Sequence, residues 1–390
     1  MKRPYLTLAL CAALGLSDAA GASAAAKPYI TLLKHSDPTD FQGELRGLRL
    51  LEDGGATLKL AASGLEQGEN AALYGPGRFF AGTFESKPLE AKAGFDTAIA
   101  SWNAVTPPGT WLQIELRAYR PDGGGRWTRY YNLGVWTSQQ APRRSVDGQK
   151  DADGSVSTDT LLLKGKPVYT RVQYRLKLFT RDPKVTPAVR LVAVMTSDSE
   201  REKRGLPATP DRSVWGRVLN VPPRSQMVFK DGGEVWCSPT STSMVLAYWG
   251  HEVPVPQAAA ATFDATYKGN GNWPFNTAWA STFGLEAYVT RLTSLADVER
   301  YIAAGVPVIV SYGWKKGELP GAAIESSNGH LMVVVGFDAR GNVVVNDPAG
   351  KSDAEVRRTY DRKILERLWL THSGGTVYLI YPRGHTVAAR

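Results

Sequence analysis

The chain has 390 residues, 43% of them hydrophobic and 21% charged, with a formal net charge of +9. That length exceeds one ordinary hydrophobic core, so two domains are expected in a soluble globular protein. The positive excess is spread along a sequence with no basic helix, zinc-ligand spacing or aromatic RNA-binding motif, which argues against nucleic acid and suits adhesion to an anionic wall polymer.

Met1, Lys2 and Arg3 lead into an apolar run from Tyr5 to Leu16, and small residues Ala22, Ser23 and Ala24 precede Lys27. This is the three-part layout of a secretory signal peptide over 1–26, with cleavage near Ala24 to Ala26. Removing it takes away Lys2, Arg3 and Asp18 and leaves 44 basic and 36 acidic residues, a net charge of +8. Cys11 follows Leu10, a poor match to a lipoprotein acceptor, and departs with the leader. No later run approaches the ~18 to 20 apolar residues of a membrane span. The mature chain is expected to be secreted or periplasmic, soluble and monomeric.

Residues 27–197 read as short strands. Leu48 to Leu51 and Thr57 to Leu60 flank Glu52, Asp53, Gly54 and Gly55 as a hairpin. In the run from Trp111 to Tyr119, period-two alternation puts Leu112, Ile114, Leu116 and Ala118 on a core face; Val172, Tyr174, Leu176 and Leu178 repeat the pattern. Val189 to Met195 is a more continuously apolar strand, and turn signals such as Pro107-Pro108-Gly109 and 121–125 separate the runs. An antiparallel β-sandwich is predicted. Trp102, Trp111, Trp127, Tyr130, Tyr131 and Trp136 crowd this half; they are expected to fill its core, with stacking on sugar rings as the alternative. The oxygen-rich stretch 147–154 misses EF-hand spacing, since Gln149 and Thr160 stand where the first and last ligands belong, and reads as an acidic turn.

Residues 198–214 are charged, then proline-bearing, with no apolar period, and are expected to be a linker. From 215 to 390 the pattern mixes: a helix beginning at Cys237 and ending before Gly250, helical stretches over 273–283 and 295–304, then strands over 306–312, 331–337, 342–345 and 376–381. Helices first and an antiparallel sheet afterwards is α+β order.

Cys237 is the only cysteine left after leader removal, and an unpaired thiol in an exported protein invites a functional explanation beside that of a buried structural residue. It opens a helix with Pro239 in the first turn, where the macrodipole and unpaired N–H groups favour thiolate. Of five histidines, His330 stands apart: it follows Ser327-Asn328-Gly329 and heads the apolar strand Leu331 to Phe337, whereas His35, His251, His372 and His385 look ordinary, the last two among turn residues. The next strand ends in Asn346-Asp347-Pro348, where a carboxylate could orient the imidazole. Hairpin parity decides this: a loop of Ala339 and Arg340 puts Asp347 opposite Met332 on the face of His330, and one more residue separates them unless a bulge restores parity.

Cysteine at a helix N-terminus, histidine heading a strand, and an acid ending the next strand is the chain order of papain-like cysteine peptidases. Residues from about Val221 to Tyr381 resemble the C39-like branch: Gln226 upstream, Cys237 to Ser241, Gly329-His330 before Val333 to Phe337, and Asn346 to Ala349. The resemblance implies a papain-like fold for this half, with Cys237 as nucleophile, His330 as base, Asp347 as its orienting acid, and Gln226 with the Cys237 N–H as oxyanion donors. Ser238 stands where members commonly carry glycine, and Met227 to Trp236 form a long insertion between Gln226 and the nucleophile. The resemblance does not extend to the first half, which reads as an accessory domain.

The expected function is an exported cysteine peptidase acting on a peptide or protein substrate, without metal or cofactor, its sandwich positioned on wall polymer or glycan. A wall amidase or transglutaminase-like acyl transferase would use the same triad, and a noncatalytic wall or glycan binder is the alternative outside enzymes.

Overall fold

The computed structural model describes residues 28–165 and 168–388, so the expected leader with Cys11 lies outside the described residues. Before residue 198 the chain is all-β, in two antiparallel sheets. One has Thr97–Val105 and Ala188–Ser197 at its centre, flanked by the strands Gly154–Ser157 and Thr160–Leu163 on one side and by Leu48–Glu52 paired with Ala56–Leu60 on the other. The other centres on Thr110–Arg120, Tyr169–Thr180 and Arg78–Ser86. Leu176 lies beside Ile114 and Leu178 beside Leu112, so the two alternating runs merge into one buried face.

The tryptophans follow the same logic. Trp102 and Trp136 are buried in one core with Tyr131, whereas Trp111, on the other face of its strand, is buried in a smaller cluster with Tyr74 and Phe179. Trp127 and Tyr130 are partly buried, and the Arg117 guanidinium lies 4.9 Å and 4.6 Å from their ring centres. In the acidic turn, Asp151 pairs with Arg129 and Asp153 with Arg126.

Beyond residue 215, the helices Cys237–Tyr248, Val255–Thr262 and Trp273–Ser281 precede a six-stranded sheet. Its spatial order is Leu285–Arg291, Thr376–Pro382, Val308–Trp314, Ser327–Phe337, Val343–Asn346, Arg357–Tyr360, antiparallel throughout. The Cys237 helix is buried from Ser238 to Ala247 on every side, not along one stripe, because it packs on the His330 strand and on both neighbouring helices.

Two expectations are corrected here. His372 is not in a turn but in the last turn of the helix Arg362–Ser373. Asp361 caps the Ile364 N–H, Leu365, Leu368 and Trp369 bury at helical spacing, and left-handed Gly374 ends the element. The 198–214 segment connects the halves but is packed: Asp198 caps the helical turn Ser199–Glu202, and buried Glu202 pairs with buried Arg291 of the sheet. Two of its charges are thus a cap and half of an interior ion pair.

The two halves share one continuous hydrophobic core. Strand Leu285–Arg291 is bonded to a neighbour on one side only, and side chains of the first half cover its other edge. Ser101 Oγ accepts from Val289 N at 3.1 Å, while Asn103 accepts from Ala287 N at 3.2 Å and donates to Ala287 O at 2.5 Å. A bare edge is a site for unwanted pairing and carries unsatisfied backbone groups. Asn103→Ala leaves both Ala287 groups buried without partners, so denaturant unfolding should show a loss of about 1–3 kcal/mol, a loss absent for a substitution at exposed Val105 on the same strand.

Candidate active site

Residues His330 and Asp347 reach one another through a bulge. At the turn end Phe337 pairs with Val343 and Gly336 with Val344, a register that would place Asp347 on the wrong face. The register then shifts, so that Val334 pairs with Val345 and Val333 with Asn346. The extra residue is Val335, and one step further Asp347 falls opposite Met332. The loop is the odd-parity one, and a bulge restores the pairing.

What holds the bulge is the chain entering this half. Val335 O accepts from Leu219 N at 2.7 Å and Arg217 O accepts from Phe337 N at 3.0 Å. Gly336 permits the crossing, since a Cβ there would lie 2.1 Å from Arg217 O. The same segment continues to Gln226, whose N–H donates to Pro348 O at 2.8 Å, beside Asp347.

The insertion 227–236 folds back onto Gln226. Phe229 N donates to Gln226 O at 3.2 Å and Gly233 N to Phe229 O at 3.2 Å, folding the insertion back on itself. Gly233 packs so closely that a Cβ would sit 2.1 Å from Gln226 O. The Gln226 side chain is 2% exposed, and its Oε1 has no hydrogen-bond partner. Ser238 also proves compatible with the fold: its hydroxyl turns into the sheet, 2.9 Å from the Tyr378 hydroxyl.

Three of the four candidate side chains form one connected chain of contacts. His330 Nε2 is 2.7 Å from Asp347 Oδ1, and both residues are buried. The other ring nitrogen is left for Cys237, whose thiol is near enough to the imidazole for each to shift the other's charge. Ser241 Oγ donates to Leu331 O at 3.0 Å, tying the helix to the strand one residue beyond the histidine. Asp347 is filled on all sides: Ala349 N donates to Oδ1 at 3.0 Å and Tyr360 Oη to Oδ2 at 2.9 Å. Trp314 lies edge-on to the imidazole, ring centres 5.6 Å apart. Sequence reading missed Tyr360 and Trp314; both sit at strand ends, where an aromatic looks like any core residue.

Burial opposes charge at every member of this chain. At Cys237 it pushes the thiol up, but the His330 hydrogen bond and charge, with backbone N–H groups of Leu331 and Ser238, outweigh it and hold the thiol below its ordinary value. At His330 burial pushes down, and the Asp347 charge and hydrogen bond raise the imidazole well above its usual range. The Asp347 carboxyl ends below its ordinary value, since the imidazole, Ala349 and Tyr360 prevail over burial. Both shifts favour the thiolate–imidazolium pair over the neutral one.

The sulfur opens on a cleft of about 1050 Å³ lined from both halves of the chain. Among the described residues no cluster of three or more His, Cys, Asp or Glu side chains could hold a metal ion, and no helix is long and apolar enough to cross a membrane. Because its thiol is held low, Cys237 should be alkylated by iodoacetamide along a rate profile that rises at lower pH than for a free cysteine. His330→Ala removes the imidazole's hydrogen bond and charge and leaves only the backbone N–H groups against burial, so the profile should move to higher pH and the rate at neutral pH fall about tenfold or more.

Two family models match: the peptidase C39 N-terminal domain over residues 31–197 and the peptidase C39-like family over residues 218–377. No curated protein matches the chain. Among solved structures, a double glycine motif protease from an AMS/PCAT transporter, in complex with the leader peptide, is 21% identical over 43% of this chain and 96% of its own, with a TM-score of 0.29. A protein from Bacillus anthracis described as a C39-like peptidase is 17% identical over 42% of this chain and 96% of its own, with a TM-score of 0.31. A structure of carbohydrate-binding modules of the β-sandwich superfamily is 13% identical over 41% of this chain and 54% of its own, with a TM-score of 0.19. In succession along the chain, residues 31–197 thus resemble the peptidase C39 N-terminal domain and residues 218–377 the peptidase C39-like family.

Proposed function

We propose that the chain is an exported cysteine peptidase that hydrolyses peptide bonds through Cys237, His330 and Asp347, with its first half a β-sandwich and its second a papain-like fold. The observation that carries this reading is the buried Asp347–His330 contact of 2.7 Å, with the Cys237 thiol near enough to the same imidazole for each to shift the other's charge. A satisfied structural histidine needs one partner; this one bridges an acid and a thiol at the wall of a cleft. Export rests on the leader-like residues 1–26.

In the proposed reaction the Cys237 thiolate attacks the scissile carbonyl carbon and the carbonyl electron pair moves onto oxygen. The oxyanion is held by the Cys237 N–H and by Gln226, whose buried side chain retains an unpartnered oxygen, Oε1. The amide group is read with its nitrogen toward the oxyanion. Collapse breaks the C–N bond, the leaving amine takes the proton of His330, and an acyl thioester remains. Water then loses a proton to His330 and adds to the thioester, releasing the acid and restoring the ion pair. An amidase or acyl transferase shares the first half of this sequence and differs only in its bond or acceptor.

A mixed peptide library digested with the mature chain and read by mass spectrometry tests the proposal. Cys237→Ala should abolish cleavage, and Gln226→Ala should lower kcat by about 10²-fold or more with little change in KM. Absence of cleavage by the parent chain, with Cys237 alkylated no faster than a free thiol, would overturn it. Release of ammonia from side-chain amides, or transfer of the acyl group to an added amine, would point to the amidase or transferase. Binding of glycan or wall polymer unchanged by Cys237→Ala, without any hydrolysis, would favour the noncatalytic binder.

A further inference from the structure

The cleft at Cys237 is not a property of the second half alone. Its far wall is the turn between Gly154–Ser157 and Thr160–Leu163, two strands of the first half. The turn is fastened across the boundary: Asp159, buried, accepts from Trp273 N at the first turn of a helix at 2.7 Å and from Thr160 Oγ1 at 3.0 Å. A second wall is the loop before that helix, held by buried Asp264, which accepts from Thr266 N and Tyr267 N and, from the first half, Ser145 N.

Three features of these walls bear on what the cleft takes. Thr158 and Lys268, with φ of 55° and 56°, are the two non-glycine residues of positive φ among the described residues, and both line this cleft, one on each wall. A β-branched residue in that conformation is strained, and such strain is retained where a side chain is needed. Strand alternation turns Leu161 and Leu163 into the core and Leu162 outward, 39% exposed, where a polar residue would ordinarily stand. Tyr267 on the opposite wall is 51% exposed and Val235, beside Cys237, is 61% exposed, and both line the same space. Exposed apolar side chains thus converge on the mouth of the cleft from both halves.

We infer that the first half supplies part of the substrate site, and that Leu162 and Tyr267 are specificity residues gripping an apolar side chain of a peptide near its scissile bond. This rests on the peptidase reading of Cys237. Leucine offers neither a hydrogen bond nor a charge, so a neutral aliphatic or aromatic side chain is the complement, and the strained turn fixes the distance between the walls.

The test uses the full chain as Cys237→Ala, so that binding is read without turnover. A mixed peptide library is passed over the immobilised protein, retained peptides are sequenced, and affinities follow by fluorescence anisotropy. Retained peptides should be enriched in Leu, Phe or Met, and Leu162→Glu in the same background should weaken them about tenfold or more and erase the enrichment. Tyr267→Ala, also exposed and on the other wall, should do likewise and serves if Leu162→Glu fails to fold. Retention of no peptide, retention without apolar enrichment, or unchanged affinity in both variants would overturn the inference. If the binding pattern holds but the parent chain hydrolyses none of the retained peptides, the hydrolase reading falls and this site stands. If Leu162→Glu and Tyr267→Ala, made in the chain that keeps Cys237, hydrolyse peptides with the parent's preference, the reverse is true.

Discussion

A single extra residue, Val335, decides whether this chain has a candidate site at all. Side chains along a strand alternate between two faces, so a one-residue offset between the strands 327–337 and 343–346 would turn the carboxylate away from the imidazole. The offset is removed halfway along the pair, and the removal is stabilised by main-chain bonds to the segment 217–219, which crosses over a glycine because nothing larger fits. That crossing also delivers Gln226 next to the Asp347 loop. Register, crossing and delivery are one arrangement, and a change at Gly336 would be felt at all three places.

Around that arrangement the interior is charged, which the fold tolerates because the charges are answered. A buried carboxylate without partners is expensive, and a buried pair is tolerated when its remaining lone pairs are occupied. Asp347 meets that condition through Ala349 and Tyr360. The imidazole between acid and sulfur has Nε2 held by the carboxylate and feels the thiol's charge on its other side. Gln226 Oε1 is interior and without a partner, as are Thr240 Oγ1 on the Cys237 helix and Trp314 Nε1 beside the imidazole.

Much of this was legible in the chain itself. The thiol at a helix start, the histidine at a strand mouth, and the parity argument for Asp347 are short-range patterns, and each depends on residues within about a dozen positions of one another or on strict alternation. The joining of the two halves was not legible. Glu202 and Arg291 look like surface charges until a strand 89 positions away meets the helical turn, and the run Leu161-Leu162-Leu163 hides an outward leucine because every position in it is apolar. The helix 362–373 was lost for a related reason: its buried residues are interleaved with Arg, Lys and Glu, so charge masked the period.

The covering of strand Leu285–Arg291 by Ser101 and Asn103 carries a consequence for how the protein comes into being. Ribosomes make the shield nearly two hundred positions before the strand that needs it, and domains made first tend to fold first. The later half therefore emerges beside a finished template that occupies its most adhesive edge, in the manner of a built-in chaperone. Cut away from that template, the later half would offer naked main chain to any neighbour, and its failure would be clumping instead of simple unfolding.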